Sequence, residues 1–131
     1  MIGLDTNLLV RLITNDDPVQ ARQVAKRLDS AESFFVPLTV ALELEWVLRG
    51  AYQLGTDAIV TGYVSLLAIR NVFFESEGGL IKALDYYRNG CDLADALHLV
   101  SVQHCETLLS FDKKFIKCAA RLKIGPPVLE L

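Results

Sequence analysis

The stretch Met1-Ile2-Gly3-Leu4-Asp5-Thr6-Asn7 determines how the rest of the chain is interpreted. A short apolar run that ends in polar residues is typical of a buried strand that meets a loop. The apolar segment 8–13 is typical of a helix, so Asp5 should lie where a strand gives way to a helix. Ligands of open α/β sheets bind at that carboxyl end of the strands. On this stretch alone, a capping role is the simpler interpretation: Thr6 or Asn7 caps the helix, and Asp5 favours its positive end.

Length and composition indicate one compact domain that spans residues 1–131, of which 52% are hydrophobic. No window approaches the ~18 uninterrupted apolar residues that a membrane span needs. The N-terminus lacks the basic and apolar segments of a signal peptide, and the first strand begins almost at Met1, so we expect no leader and a cytoplasmic location. The net charge of −3 is not typical of a nucleic-acid-binding protein. It does not exclude one, because cations can bridge phosphates to carboxylates.

The three cysteines are odd in number and widely spaced, and no paired Cys motif is present. This pattern fits neither a disulfide framework nor a zinc site. We therefore expect Cys91, Cys105 and Cys118 to be buried small apolar side chains.

Apolar segments alternate along the chain between strand-like and helix-like patterns. Predicted strands cover residues 2–4, 33–37, 71–75, 107–112 and 127–131, and seven predicted helices lie between or after them. Strands that alternate with helices predict a parallel sheet covered on both faces. The expected fold is therefore α/β, with three α/β/α layers and a central, mainly parallel sheet of four to five strands.

Two predicted helices carry charged residues whose roles need an interpretation. On the second helix, Arg22, Lys26 and Arg27 lie opposite the apolar stripe, and we interpret them as solvated rather than as phosphate contacts. On the third helix, Glu45 lies four residues before Arg49, which predicts an i,i+4 surface pair. That helix should be capped by Thr39, and its expected core stripe is Val40, Leu44, Val47 and Ala51. Leu42 and Trp46 form a second apolar face, which predicts either a subunit contact or core packing.

Four acidic residues, Asp5, Glu43, Asp95 and Asp112, each follow a strand or lie in the opening turns of a helix. All such points lie on the same edge of a parallel sheet, so we expect the four carboxylates to converge. Like charges raise one another's pKa, and a cluster of this kind is stable near neutral pH mainly when it holds divalent cations. Ligands that are all oxygens favour Mg²⁺ or Mn²⁺ over Zn²⁺. A site of this kind suits the hydrolysis of phosphodiester bonds.

The third acid of this set has two candidates. Asp92 can cap its helix with Asp95 three residues later, an arrangement like a capping box. Asp95 lies on a stripe that continues into the core, where a carboxylate is costly without a cation or a partner. We rank Asp95 first and keep Asp92 as an additional acid that could share the role. His98 lies one turn beyond Asp95. We interpret it first as a packed or hydrogen-bonded side chain and only second as a ligand.

These motifs resemble those of the PIN-domain ribonucleases, in particular the VapC-type toxins of prokaryotic toxin–antitoxin pairs. The resemblance covers nearly the whole chain and rests on Leu4-Asp5-Thr6-Asn7, Leu42-Glu43-Leu44-Glu45, Asp92-Leu93-Ala94-Asp95-Ala96 and Ser110-Phe111-Asp112-Lys113-Lys114-Phe115. It implies a small α/β domain, often dimeric, that cleaves RNA with Mg²⁺ or Mn²⁺. It also implies a cognate antitoxin that blocks the acidic pocket.

The resemblance assigns a role to each acid. Asp5, Glu43, Asp95 and Asp112 match the four metal ligands. Thr6 and Asn7 would orient the first acid or a metal-bound water, and Ser110 occupies the usual Thr/Ser position before the fourth. One departure is Val40, which stands three residues before Glu43 where the family often has Thr.

A basic segment lies near the end of the chain. Five of the thirteen basic residues lie between positions 113 and 123, and we expect Lys113, Lys114 and Lys117 to contact RNA phosphates.

The rival function is a non-catalytic module whose acidic pocket binds only a cation or a basic peptide. A metal-dependent cleavage assay separates the two.

Overall fold

The chain forms two compact units in the computed structural model, which describes residues 1–131. The first unit is Met1–Ser76 and the second is Glu77–Leu131. All five predicted strands and seven predicted helices are present. None of these helices combines the length and the apolar character that crossing a bilayer requires.

The first unit consists of three strands, each joined to the next by two helices. In chain order it contains β1(Ile2–Gly3), α1(Thr6–Thr14), α2(Pro18–Leu28), β2(Phe34–Val36), α3(Leu38–Gly50), α4(Thr56–Leu67) and β3(Val72–Phe74). The strands pair in parallel in the order β1-β2-β3, with Ile2 opposite Phe34 and Phe34 opposite Val72. Helices α1 and α3 therefore both begin at the carboxyl edge of this sheet, which brings the residues at their N-termini to the same edge.

One face of the three-stranded sheet is buried. Phe34, Val36 and the β3 residues Val72 and Phe74 are buried, whereas Phe73 is 42% exposed. Successive side chains of a strand point to opposite faces, so this alternation identifies the face that packs into the core. The helices complete the core with fully buried Leu9, Leu44, Leu48, Tyr63 and Leu66.

Helix α3 presents a different face to the core from the one predicted. It begins at Leu38 directly after Pro37, with no side-chain cap, so the prediction that Thr39 caps it is wrong. Its buried residues are Ala41, Leu44, Glu45 and Leu48, whereas Val40 and Val47 are only half-buried and Ala51 is exposed. The helix is apolar on two faces, and its packing against α1 and α4 selects the one that turns inward.

The predicted i,i+4 pair between Glu45 and Arg49 is confirmed, but the prediction that it is a surface pair is wrong for Glu45, which lies on that inward face. The Glu45 side chain is 1% exposed, whereas that of Arg49 is 55% exposed. The guanidinium donates from Nε to Oε1 at 2.7 Å and from Nη2 to Oε2 at 3.3 Å. A buried carboxylate is costly without such donors, so Arg49 lowers the cost of burying Glu45.

The second unit contains α5(Glu77–Arg88), α6(Leu93–Ser101), β4(Leu108–Ser110), α7(Lys113–Leu122) and β5(Val128–Glu130). Strands β4 and β5 pair in parallel, with Leu108 opposite Val128. The predicted α/β class with parallel strands is confirmed, but the predicted number of four to five strands in one sheet is wrong, because the strands form a three-stranded and a two-stranded sheet. Every strand has only two or three residues, so each forms few ladder hydrogen bonds.

Of the three cysteines expected to be buried, only Cys91 is buried, and the interpretation that the cysteines form no disulfide is wrong. Cys91 and Cys118, which are 27 residues apart in the chain, form a disulfide, and Cys105 is exposed. The disulfide lies against a buried cluster that includes Leu99 and Phe115. Closing a loop of this length restricts the unfolded chain, which stabilises the fold by about 3–4 kcal/mol.

We expect Arg49→Gln to lower the free energy of unfolding by about 2 kcal/mol, because it removes two hydrogen bonds from a buried carboxylate while the lost cation itself is partly solvated. Urea denaturation measures the effect. Arg70→Gln is the matched control, since Arg70 is exposed and forms no ion pair. Equal stability of the two variants would contradict the role given to Arg49.

Candidate functional site

Asp5 is the N-cap of helix α1. Its Oδ1 atom accepts a hydrogen bond from the Thr6 backbone N–H at 2.8 Å. The simpler interpretation of the sequence named Thr6 or Asn7 as the cap, and it is wrong in that detail, because Asp5 itself occupies the extended position before the helix. The Oδ2 atom of Asp5 accepts no hydrogen bond from the protein and is free to bind a ligand.

Thr6 links Asp5 to the second predicted acid. The Thr6 side chain is 5% exposed, and its hydroxyl donates a hydrogen bond to Oε1 of Glu43, 37 residues further along the chain. The sequence left Glu43 without a local partner, and this contact supplies one from another helix. Thr6 therefore positions Glu43 at the same end of the unit as Asp5.

A cleft of about 380 Å³ contains these residues, and its lining also includes Asn7, Arg11 and Tyr52. Arg11 forms an ion pair with Asp16, at 3.2 Å from Nη1 to Oδ1, so neither Asp5 nor Glu43 is neutralised by a basic side chain. The cleft, which we name the acidic cleft, therefore combines two unpaired carboxylates with a hydroxyl and an amide.

The second unit repeats the capping arrangement twice. Asp92 caps α6, where its Oδ1 accepts from the Asp95 backbone N–H at 3.1 Å. Asp112 caps α7, where its Oδ1 accepts from the N–H groups of Lys114 at 3.0 Å and Phe115 at 3.2 Å. The hydroxyl of Ser110 accepts from the Asp112 backbone N–H at 3.0 Å, within the turn before α7.

Asp92, Asp95 and Asp112 line one cleft of about 470 Å³, whose wall includes the Cys91–Cys118 disulfide. Burial raises the pKa of the Asp95 carboxyl above its ordinary value of 3.8. The negative charges of Asp92 and Asp112 raise this pKa further, and nearby His98 lowers it. Asp95 is thus close enough to Asp92 and to Asp112 for their charges to disfavour its ionised form.

The donor set of these clefts fits a hard divalent cation. Carboxylate, hydroxyl and amide oxygens suit Mg²⁺ or Mn²⁺, and no thiolate or imidazole set that would suit Zn²⁺ accompanies them. Neither unit alone arranges three or more His, Cys, Asp or Glu side chains to hold an ion. Mg²⁺ commonly keeps several waters and takes only one or two carboxylates, so each partial set is compatible with it.

The structure also shows which predicted residues it brings together. Asp5 and Glu43 belong to one unit, whereas Asp95 and Asp112 belong to the other, so the convergence of all four stays a prediction. The three predicted RNA contacts, Lys113, Lys114 and Lys117, are exposed on α7, and only Lys114 lines the cleft of its unit.

Two residues of the acidic cleft, Arg11 and Tyr52, were not predicted from the sequence. Arg11 lies four positions after Asn7 on α1 and therefore shares its face, which is a signal that helical spacing could have supplied. Tyr52 follows the end of α3, and no sequence pattern marks it. Its hydroxyl donates to Asp16 at 2.5 Å and accepts from Arg11 at 3.3 Å, so it orders this side of the cleft.

The model of the PIN domain family matches residues 2–121, a range that includes every predicted acid. No curated protein matches the chain.

We expect Asp95→Asn to raise the melting temperature of the metal-free protein at pH 7. The raised pKa of Asp95 means that the folded state binds a proton more tightly than the unfolded state, so stability falls as the pH rises above 3.8. The neutral side chain removes this penalty, and the advantage should vanish at low pH.

Melting curves recorded in a chelating buffer between about pH 3 and pH 7 measure the difference in melting temperature between Asp95→Asn and the wild-type protein. Glu106→Gln is the control, because it removes the same charge from an exposed position of the same unit. A lower melting temperature for Asp95→Asn at pH 7 would show that the Asp95 carboxylate supports the fold.

Proposed function

The chain belongs to the PIN domain family, whose members are generally nucleases with a metal-dependent active site, and from this membership we propose that the protein is a Mg²⁺- or Mn²⁺-dependent endoribonuclease. One observation carries the proposal: the hydrogen bond from Thr6 holds Glu43 in the same cleft as Asp5, and neither of these two carboxylates has a basic partner. Unpaired carboxylates at a strand end have a clear chemical use as cation ligands.

We propose that Asp5, Glu43, Asp95 and Asp112 are all needed to bind the cation. When bound, a divalent cation lowers the pKa of a water and stabilises the leaving oxygen of a phosphodiester. The protein's own contribution is to orient the ligands. Helix amides hold one oxygen of each capping aspartate, and the hydroxyl of Thr6 holds Glu43.

Four further residues support these acids in the proposal. Thr6 acts through Glu43, and Ser110 acts through the backbone of Asp112. Asn7 lines the acidic cleft and offers an amide to a water or to the substrate. Asp92 adds negative charge beside Asp95, so it strengthens cation binding whether or not it is itself a ligand.

We propose RNA as the substrate and a toxin of a toxin–antitoxin pair as the biological role. The support is the match of the chain's motifs to VapC-type toxins. By the same resemblance, the protein would act in the cytoplasm as a homodimer, and a cognate antitoxin would cover its acidic residues. The half-buried Leu42 and the 49%-exposed Trp46 offer apolar surface on α3 for a subunit contact.

We expect Asp5→Asn, Glu43→Gln, Asp95→Asn and Asp112→Asn each to reduce RNA cleavage at least about a hundredfold, since loss of even a group that supports a metal ligand costs about 10–100-fold. Cleavage of a panel of single-stranded RNAs with Mn²⁺ measures the effect. Asp57→Asn is the control, because Asp57 is an exposed acid in the first turn of α4.

Cooperative melting of each variant shows that its fold is intact. If the wild-type protein left every RNA intact and behaved like Asp5→Asn, the nuclease proposal would fail. A non-catalytic module that binds a cation or a basic peptide would then be the better account.

We expect Lys113→Gln, Lys114→Gln and Lys117→Gln each to weaken RNA binding by an Asp5→Asn protein. Each lost phosphate contact should reduce the slope of log affinity against log salt by about 0.7 for a single strand. Lys82→Gln, an exposed change of the same charge on α5, is the control. A slope that is unchanged in all three variants would contradict the predicted contacts.

A further inference from the structure

A second cleft of the Met1–Ser76 unit adjoins the acidic cleft. Its volume is about 360 Å³, and its lining residues are Asn7, Leu8, Arg11, Gln20, Gln23, Val24 and Arg27. Asn7 and Arg11 line both clefts, so these two side chains form the boundary between them. We name this second space the helical cleft, because only α1 and α2 contribute to it.

The spacing of the lining residues explains how the two helices form the cleft. Asn7, Leu8 and Arg11 stand on one face of α1, whereas Gln20, Gln23, Val24 and Arg27 recur at i, i+3, i+4 and i+7 on α2. The two helices pack against each other after a three-residue connection. Each helix therefore turns one polar stripe toward the cleft, with Leu8 and Val24 as its apolar part.

The helical cleft differs from its neighbour in its lining charges, although Arg11 lines both clefts. It has two guanidinium groups and three side-chain amides, and no carboxylate lines it. The amides of Asn7 and Gln23 form no hydrogen bond within the protein. Such amides present both a donor and an acceptor, which is the pattern that nucleobase edges match.

Arg11 is held rigidly at the boundary. Its Nε donates to Gln20 Oε1 at 2.7 Å, and its Nη1 donates to Asp16 Oδ1 at 3.2 Å and to Tyr52 Oη at 3.3 Å. The remaining nitrogen, Nη2, donates to no protein group and retains two N–H donors. A fixed guanidinium with free donors is well suited to a phosphate oxygen.

We propose that the helical cleft binds the nucleotides of single-stranded RNA that flank the phosphate to be cleaved. Arg11 and Arg27 contact the backbone phosphates, and Asn7, Gln20 and Gln23 contact base edges. The strand must be single, because a base reaches such a cleft only when it is unstacked. This inference rests on the proposed nuclease function and adds to it a surface that selects the cleavage site.

Arg27 provides the sharpest test of this assignment. Its side chain is 51% exposed, forms an ion pair with Glu32 and lies over the ring of Phe34, 5.4 Å from the centroid. Of the three basic residues on α2 interpreted from the sequence as solvated, only Arg27 lines the cleft, whereas Arg22 and Lys26 do not. The same helix therefore supplies controls that carry the same charge.

The experiment compares Arg27→Gln with Lys26→Gln in an Asp5→Asn protein, which we expect to bind RNA while cleaving it far more slowly. Fluorescence anisotropy with a labelled single-stranded RNA measures Kd across a range of salt concentrations. We expect Arg27→Gln to raise Kd about tenfold, the lower end of the effect of losing a charged hydrogen bond because Arg27 is half-exposed, and to reduce the salt slope by about 0.7. Lys26→Gln should change Kd less than about twofold, because only distant, screened charge is lost.

A second variant tests whether Arg27→Gln acts only by disturbing the packing of Arg27 over Phe34. Glu32→Gln keeps Arg27 and removes its ion-pair partner, so RNA binding should become about two- to threefold tighter, as loss of an exposed ion pair permits. Asp29→Asn removes the same charge from an exposed position nearby and should leave Kd almost unchanged.

The outcomes separate this inference from the proposed function. If Arg27→Gln and Lys26→Gln had equal Kd values while the wild-type protein still cleaved RNA, the inference alone would be overturned. If wild-type protein cleaved no RNA while binding still depended on Arg27, the cleft assignment would stand and the nuclease proposal would fail. If Arg27→Gln weakened binding of an acidic peptide and left RNA binding unchanged, the RNA assignment would be overturned.

Discussion

The hydrogen bond from Thr6 to Glu43 is the contact on which the acidic cleft depends. Thr6 is the first residue of α1 and is buried, and a buried hydroxyl must find a partner. Its partner belongs to α3, which follows the neighbouring parallel strand. One hydrogen bond thus joins the first residue of α1 to the second turn of α3 and brings Glu43 to the cleft that contains Asp5.

The capping aspartates show that a structural and a functional role need not compete. Asp5, Asp92 and Asp112 each bind helix amides through Oδ1 and leave Oδ2 without a partner. The positive end of a helix lowers the cost of negative charge at the cap, and the fixed oxygen orients the free one. The same side chain therefore stabilises the start of its helix and presents an oxygen for a cation.

The errors made from the sequence concern contacts between residues distant in the chain. Alternating patterns located every strand and helix, and the acids were found at the helix starts where they were expected. The buried face of α3 was predicted wrongly because two of its faces are apolar. The same error led to the prediction that Glu45, which is buried, lies at the surface. The Cys91–Cys118 disulfide was not predicted, because an odd number of widely spaced cysteines does not indicate which of them pair.

The sequence by itself determined the α/β class, the element order and the junctions that carry Asp5, Asp92 and Asp112, because periodicity and capping are local properties of the chain. Only the tertiary structure decided that Thr6 holds Glu43, that Arg27 faces a cleft while Lys26 does not, and that β4 pairs with β5 alone. These outcomes depend on how helices rotate against their neighbours and on contacts across some 20 to 40 residues of chain. No local spacing encodes those contacts, since packing of the whole core selects them.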